Sequence, residues 1–274
     1  MKISVIAPVL NENPWIGYSI MSCLENVHEF VYALDEKSND GTRELLDFIR
    51  HRYAFEKLKV LNHPTFHPSD TKAYNGAFND CIKAATGDVC WFLHPDMVVT
   101  KWNAISSGPL AWFTHLRSFA GDMETEIIRG RMSRWKNIHS KSFGLHYAGA
   151  YGSENEDFYH SIITGNVYKH HGPDFDKYPF EVADSGIHVN HYCEVKEYKR
   201  RLEKMKLCLR TQHPAFTDSL IDEMATHHPR VTLQPSGSRF GVFEFQKAAS
   251  TIPEVFSKYK DEFSSFQKEL VHNG

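Results

Sequence analysis

The chain has 274 residues, 41% of them hydrophobic, and a net charge of −3. This length is enough to bury the core of one large domain or of two small ones. The near-neutral charge gives no broad basic surface, so we expect no nucleic-acid partner. No apolar stretch approaches the roughly 18 residues of a membrane span, so we expect no transmembrane segment.

The five cysteines show no CxxC or other spacing typical of a metal site. Their number is odd, and the first segment, residues 1–8, is too short for the apolar part of a signal peptide. Both features are typical of reduced thiols in an intracellular protein. We therefore expect a cytoplasmic location.

Strand and helix patterns alternate in the N-terminal part of the chain. Short apolar runs predict strands over residues 3–9, 29–34, 58–61 and 89–93. Between them, helical spacing predicts helices over about 15–26, after residue 42 and over about 71–85, where Gly87 is expected to stop the third helix. This order predicts an α/β fold with a doubly wound, mostly parallel sheet flanked by helices.

The alternation is lost after about residue 101. The middle of the chain is rich in Trp, Arg, His and Gly, which predicts an irregular second half that lines a cleft. Alternating residues predict a strand over 186–192 that ends near His191. Helical spacing predicts helices over about 196–210 and 253–270.

Two acids follow strands of the predicted sheet. Asp35 comes directly after the second strand, and Asp96 follows the fourth, with His94 two residues earlier. Ligands of open parallel sheets bind just outside the carboxyl ends of the strands. Asp35 is thus placed to accept hydrogen bonds from a nucleobase or ribose, unless it only forms a turn before the next helix. Asp96 is placed for a metal or phosphate site, unless it is a solvated cap.

The chain lacks both common phosphate-binding loops. No GxGxxG follows the first strand, which argues against a nicotinamide or flavin domain, and no GxxxxGK[ST] occurs. A nucleoside diphosphate bound here therefore needs another source of positive charge. A divalent cation, Mn²⁺ or Mg²⁺, held by Asp96 supplies it, because hard oxygen ligands and phosphates share these ions well.

Four ordered motifs resemble those of family 2 glycosyltransferases, which have the GT-A fold and belong to the nucleotide-diphospho-sugar transferases. The first strand runs into Pro8 and then Asn11-Glu12, and the second ends in Asp35-Glu36 before 38–42, Ser-Asn-Asp-Gly-Thr. Gly76 and Asn79 precede the Ala-Ala-Thr-Gly-Asp of 84–88, and 94–96, His-Pro-Asp, stands where the family has Asp-x-Asp. The resemblance is weaker beyond these motifs.

The resemblance implies a metal-dependent enzyme that moves a sugar from a nucleoside diphosphate sugar to a hydroxyl of a glycan or another acceptor. Inversion at the anomeric carbon is the family expectation, with retention left open. The implied metal ligands are Asp96 and His191. The implied catalytic base is Glu156 or Asp157 in the acidic cluster 154–157, with Glu154 and Asp184 as alternatives. The implied contacts with the nucleotide sugar are Pro8, Asn11, Glu12, Asp35, Lys37, Asn79, His94, Pro95 and Arg131.

On this basis the chain divides into three parts. Residues 1–100 bind the nucleotide sugar, 101–195 form the acceptor and catalytic half of the same domain, and 196–274 form a C-terminal helical extension. Two positions depart from the family: His94 replaces the first acid of Asp-x-Asp, and Phe78 stands where many relatives have Arg. His94 either approaches the ribose or the metal, or only packs.

Two other functions stay open at this point. A degenerate GT-A domain that binds a sugar or a protein partner without catalysis fits the His94 substitution. A sugar nucleotidyltransferase fits the fold, but these enzymes carry a glycine-rich loop with Arg and Lys after the first strand. Residues 8–14 contain no Gly, Arg or Lys, which counts against that function.

Overall fold

The structure, a computed structural model, describes residues 1–65, 71–129, 134–143, 145–147, 158–161, 167–169, 182–195, 198–213, 215–233, 236–238, 241–248 and 252–273. The strands are β1 (Ile3–Val9), β2 (Glu29–Asp35), β3 (Leu58–His63), β4 (Val89–Phe92), β5 (Met97–Lys101), β6 (Ala111–Ala120), β7 (Thr125–Arg129), β8 (Arg134–Ser140), β9 (Leu145–Tyr147), β10 (Phe158–Ser161), β11 (Val167–Lys169), β12 (Val182–Glu194), β13 (Ser236–Ser238) and β14 (Gly241–Lys247). The helices are α1 (Trp15–Cys23), α2 (Thr42–Arg52), α3 (Thr71–Ala84), α4 (Tyr198–Gln212), α5 (Asp218–Thr226), α6 (Pro229–Thr232) and α7 (Glu254–Asn273).

The N-terminal part forms the expected parallel sheet in the order β3-β2-β1-β4. Its strands are apolar on both faces because helices cover both sides. Val5 joins an apolar cluster with residues of α1, α2 and α7, whereas the next residue, Ile6, joins a second cluster with residues of α3. The predicted α/β alternation is therefore confirmed for this part of the chain.

A buried acid fixes the start of β4 against its neighbours. The Glu29 carboxylate accepts hydrogen bonds from the Ser4 hydroxyl and from the backbone and hydroxyl of Thr86, and it pairs with Lys59 at 2.6 Å. A Cβ atom added to Gly87 would lie 2.6 Å from Ser4 Oγ. Since α3 already ends at Ala84, Gly87 serves this close approach and not the expected helix stop.

The described residues of the second half form more regular strands than the loss of alternation indicates. Strand β8 pairs antiparallel with β4 and β6, and β12 pairs parallel with β6 and antiparallel with β5. Strands β7, β14 and β13 extend the same sheet in antiparallel order. Polar residues buried in these strands, among them Thr114, Asn137 and His139, interrupt the apolar pattern that would have revealed them.

The C-terminal segment is not purely helical, which corrects the expected extension. Strands β13 and β14 join the large sheet, and Phe256 and Phe263 of α7 pack with α1 in the main core. Helices α4, α5 and α6 share a small apolar cluster of their own. Among the described residues, no helix combines the length and apolar character that a bilayer crossing requires.

Candidate functional site

Three parallel strands end side by side at one edge of the sheet. Strands β2, β1 and β4 are neighbours there. Asp35 is the last residue of β2, and the loops that follow β1 and β4 carry Asn11 and Asp96. Pro8 lies near the end of β1, where that strand pairs with β2 but no longer with β4. Proline fits this position because it has no N–H to donate, and few inter-strand hydrogen bonds are lost at the end of a strand.

The loops after β1 and β2 hold each other in place. Asn11 has a φ of 54°, and its side-chain oxygen accepts from the Asn39 N–H at 2.9 Å. The Glu12 N–H donates to Thr42 Oγ1 at 2.8 Å. The Asp40 carboxylate accepts from the Asn13 N–H at 3.0 Å and from the Thr42 N–H at 3.1 Å. Two motifs separated in sequence therefore form one hydrogen-bonded unit.

Asp35 shapes the turn that follows β2. Its side chain is fully buried, and Oδ1 accepts from the Lys37 N–H at 2.8 Å. Its carbonyl oxygen accepts from the Ser38 N–H at 3.0 Å. An aspartate that bonds the N–H two residues later is a common turn former. Contact between Asp35 and a base stays a prediction.

Asp96, in the loop after β4, lies beside His191 of β12. His191 Nε2 lies 3.3 Å from Asp96 Oδ1, and the two side chains are 13% and 4% exposed. The Tyr192 N–H donates to the Asp96 carbonyl oxygen at 3.0 Å, which ties β12 to the loop after β4. The structure thus brings together the two residues expected to hold a metal.

His94 lies beside this pair and packs against a tryptophan. Its ring stacks on Trp135 with centroids 5.2 Å apart and planes at 28°, and its centroid is 6.2 Å from that of His191. Trp135 is 3% exposed, so its ring forms a wall of the site. It therefore offers no open stacking surface to an acceptor sugar.

Asn137 supports the end of β4, and nothing in the sequence pattern singles it out. Its amide Nδ2 donates to the Phe92 carbonyl oxygen at 2.9 Å, and its Oδ1 accepts from Thr114 Oγ1 at 3.1 Å. Both polar residues are fully buried. Buried bonds of this kind fix a backbone position, because either group left unpaired costs about 1–3 kcal/mol.

Asp184, an alternative for the catalytic base, lies elsewhere. In the register of β12 with β6, Asp184 lies opposite Phe113 and His191 opposite Ser118, so the two are separated by five strand residues, or about 16 Å. Burial raises its pKa, but hydrogen bonds from the Gly186 N–H and from His115 outweigh that effect and hold the pKa below its usual value. Its position and weak basicity both disfavour it.

The other predicted contacts fall into two groups. Lys37 is exposed, Asn79 and Glu12 are half-buried, and Pro95 is buried beside Asp96. Glu154, Glu156, Asp157 and Arg131 lie outside the described residues.

The donor set of the Asp96–His191 pair fits a divalent cation. One carboxylate oxygen and one imidazole nitrogen converge, and this combination suits Mn²⁺ well. Within the described residues, no third histidine, cysteine or carboxylate completes a three-ligand cluster with them. Two protein ligands are a usual number where substrate phosphates and water fill the other positions.

Comparison with known proteins finds one family that is similar to the N-terminal part of the chain. Residues 4–104 match the model of the family described as Glycosyl transferase family 2. The match confirms the predicted resemblance for this part of the chain, which spans all four motifs. No curated protein sequence matches the chain at a significant level.

Solved structures that match the chain include those of two proteins. TarS of S. aureus is 14% identical with a TM-score of 0.41, and the match covers 87% of this chain and 44% of that one. Its 1–349 fragment with UDP-GlcNAc is 14% identical, with a TM-score of 0.40 and coverage of 82% and 71%. Glucosyl-3-phosphoglycerate synthase of Mycobacterium tuberculosis, with Mn²⁺, UDP and phosphoglyceric acid, is 14% identical, with a TM-score of 0.37 and coverage of 70% and 69%. The chain thus spans less than half the length of the first of these proteins.

Proposed function

We propose that this protein transfers a sugar from a nucleoside diphosphate sugar to an acceptor hydroxyl, with inversion and with a divalent cation at the donor site. The observation that carries the proposal is the approach of His191 Nε2 to Asp96 Oδ1 at 3.3 Å. The family match over residues 4–104 supports the reaction class. Ligands of parallel sheets bind outside the carboxyl ends of the strands, so the edge formed by the ends of β1, β2 and β4 supports a nucleotide site there.

In this scheme the residues of the chain divide the work by position. Asp96 and His191 hold the cation, which when bound neutralises charge on the diphosphate. The loop pair of Asn11 and Asp35 frames the base and ribose, and the His94–Trp135 stack closes one side of the site. His191 must be neutral to act as a ligand, so cation binding is expected to weaken at acidic pH.

The reaction itself needs a base on the acceptor side. The acceptor oxygen forms a bond to the anomeric carbon while the bond from that carbon to the diphosphate oxygen breaks. The hydroxyl proton passes to Glu156 or Asp157, for which the supporting observation is the acidic cluster 154–157 in the sequence. The nucleoside diphosphate leaves with the electron pair of the broken bond. A cytoplasmic location stays a prediction.

A donor panel tests this function. Wild-type protein is incubated with Mn²⁺ and several nucleoside diphosphate sugars, and release of nucleoside diphosphate is measured beside Asp96→Asn and Asp47→Asn. Asp47 is an exposed carboxylate of α2 and serves as the matched control. We expect release by wild type and Asp47→Asn and its loss in Asp96→Asn. Equal release by wild type and Asp96→Asn on every donor would overturn the proposal in favour of a non-catalytic binding domain.

A further inference from the structure

Two partly exposed histidine rings are stacked between strands β6 and β12. His188 of β12 lies opposite His115 of β6 in the register of these parallel strands. The ring centroids are 4.6 Å apart, and the ring planes are inclined by 22°. His188 precedes His191 by three residues, which is about 10 Å along the strand. Nothing in the proposed transfer reaction uses this pair of rings.

A bulge in β12 brings one carboxylate to the pair. Asp184 lies opposite Phe113 and His188 lies opposite His115, so four steps along β12 match two along β6. The extra length is taken up at Gly186, which has a φ of 65° and whose N–H donates to Asp184 Oδ1 at 2.7 Å. His115 Nε2 lies 2.9 Å and 3.0 Å from the two Asp184 carboxylate oxygens. Because an ionised carboxylate only accepts hydrogen bonds, His115 donates through Nε2.

Basic side chains flank the pair on both sides. Lys101 of β5 lies opposite His188, and Arg134 of β8 lies opposite His115. Both flanking side chains are exposed. Residues directly opposite each other on neighbouring strands interact on the same face of a sheet, and like charges in such positions are destabilising. Four basic residues thus form one row across four adjacent strands.

One further cation near the row is already paired. Arg117, two residues after His115, forms an ion pair with Glu126 of β7 at 2.6 Å. Among the described residues, Asp184 is the acid that hydrogen-bonds to the histidine pair. The row can therefore balance one added positive charge but not two.

Burial and charge both oppose a second proton on the pair. Burial lowers the pKa of His188, and the positive charges of His115 and Lys101 lower it further. Asp184 acts in the opposite direction and Arg117 in the same direction as the other cations. Two protonated rings would lie 4.6 Å apart with one carboxylate between two charges.

We propose that the stack of His115 on His188 is a proton-sensitive contact between β6 and β12, closed when at most one ring is protonated and open when both are. Opening separates the rings and loosens residues 187–190, which lead directly to His191 on the same strand. An unperturbed histidine takes up a proton near pH 6.5, whereas the closed stack resists the second proton. The closed state is therefore stable above about pH 6.5 and is lost as the pH falls below it.

Hydrogen exchange of the backbone amides of residues 187–190 tests the proposal in the full chain. Exchange is followed by mass spectrometry at pH 7.5, 6.5, 5.5 and 5.0 and converted to protection factors, which remove the intrinsic effect of pH on the exchange rate. His188→Phe keeps a ring over His115 and takes up no proton. His51→Phe makes the same change at an exposed histidine of α2. The amides of β1 report global unfolding in the same samples, so the readout does not depend on the proposed transferase activity.

We expect the protection of residues 187–190 in wild type to fall about tenfold between pH 7.5 and pH 5.0, the change that one unit of pKa difference produces. His51→Phe should behave as the wild type does. In His188→Phe the protection should change by less than about threefold, because no second charge arises. Asp184→Asn removes the balancing carboxylate, so the fall should begin at a higher pH than in wild type. The protection of β1 should hold in every protein.

Nuclear magnetic resonance of the wild type gives a second readout that needs no variant at position 188. Nuclear Overhauser cross-peaks between the rings of His115 and His188 should be present at pH 7.5 and absent at pH 5.0. The proposal is overturned by cross-peaks that persist at pH 5.0, by pH-independent protection in wild type, or by an equal fall in His188→Phe. It is also overturned by loss of the fall in His51→Phe or by a fall of the same size in β1.

Discussion

Two groups of acids stand at the same edge of the sheet, and their surroundings differ. Asp35 at the end of β2 and Asp40 in the next loop accept hydrogen bonds from backbone N–H groups of that loop and of the loop after β1. After β4, Asp96 faces an imidazole nitrogen that arrives from β12. The same residue type at the same edge of the sheet therefore serves two purposes. An acid whose oxygens meet N–H groups shapes the loop, and an acid that meets a histidine from a distant strand forms a candidate metal site.

The strongest test of this difference is activity. Asp96→Asn keeps the shape of the side chain but removes its charge, so cation binding at the donor site is lost. We expect turnover of the donor to fall about a hundredfold to a thousandfold, measured as nucleoside diphosphate release with Mn²⁺. A fall of less than tenfold would mean that Asp96 does not hold the cation.

Stability should show the opposite pattern. Asp40→Ala removes the acceptor for the Asn13 N–H, the Thr42 N–H and the Thr42 hydroxyl. We expect it to lower the free energy of unfolding by about 2–3 kcal/mol, because backbone donors are left unpaired. Asp96→Asn should change it by less than about 1 kcal/mol. Chemical denaturation of both variants measures this, and equal losses would remove the distinction between the two groups of acids.

A structural acid also has a pH signature. Burial raises the pKa of Glu29, but hydrogen bonds from Lys59, Ser4 and Thr86 outweigh it and bring the pKa to about 2. Because the folded pKa is lower than the unfolded one, the stabilisation is present above the unfolded pKa of about 4.3 and is lost as the pH falls toward 2. We expect a contribution of about 2 kcal/mol at neutral pH.

Glu29→Gln checks this assignment. Unfolding is followed at pH 7, 5, 4 and 3, and the variant should be less stable than wild type at pH 7 and approach it at the lowest pH. A constant difference between the two proteins at every pH would contradict the predicted titration of Glu29.

The smallest effect is expected at His94. Its ring stacks on Trp135, and phenylalanine has the size and shape to keep that contact. His94→Phe should therefore lower donor turnover by less than tenfold. The decrease in His191→Phe should be at least ten times larger than the decrease in His94→Phe. Similarly large losses of donor turnover in the two variants would mean that His94 contacts the donor or the cation directly.

The sequence predicts the parallel half of this fold closely. Strand β1 is predicted and observed over the same residues, Ile3–Val9, and β4 differs by one residue at its end. Buried parallel strands appear as uninterrupted apolar runs, which is why the prediction works here. Strands β6 and β8 escape it because buried Thr114, Asn137 and His139 break their apolar pattern.

The candidate site is predictable only in part for the same reason. Asp96 follows from strand order alone, since the acid comes directly after a buried run. His191 rests on the resemblance, because its meeting with Asp96 depends on β12 lying beside both β5 and β6, a pairing between distant segments. Trp135 and Asn137 complete the site through contacts that no spacing rule indicates.

Direct measurement of Mn²⁺ binding tests the central claim, that Asp96 and His191 form a cation site while the acids after β2 maintain the fold. Electron paramagnetic resonance measures free Mn²⁺ in the presence of a nucleoside diphosphate. The proteins compared are wild type, Asp96→Asn, His191→Phe and Asp40→Ala, at a temperature at which all four are folded. We predict that Asp40→Ala binds Mn²⁺ as the wild type does and that Asp96→Asn and His191→Phe bind it at least tenfold more weakly. Unchanged Mn²⁺ binding in Asp96→Asn and His191→Phe would contradict the claim.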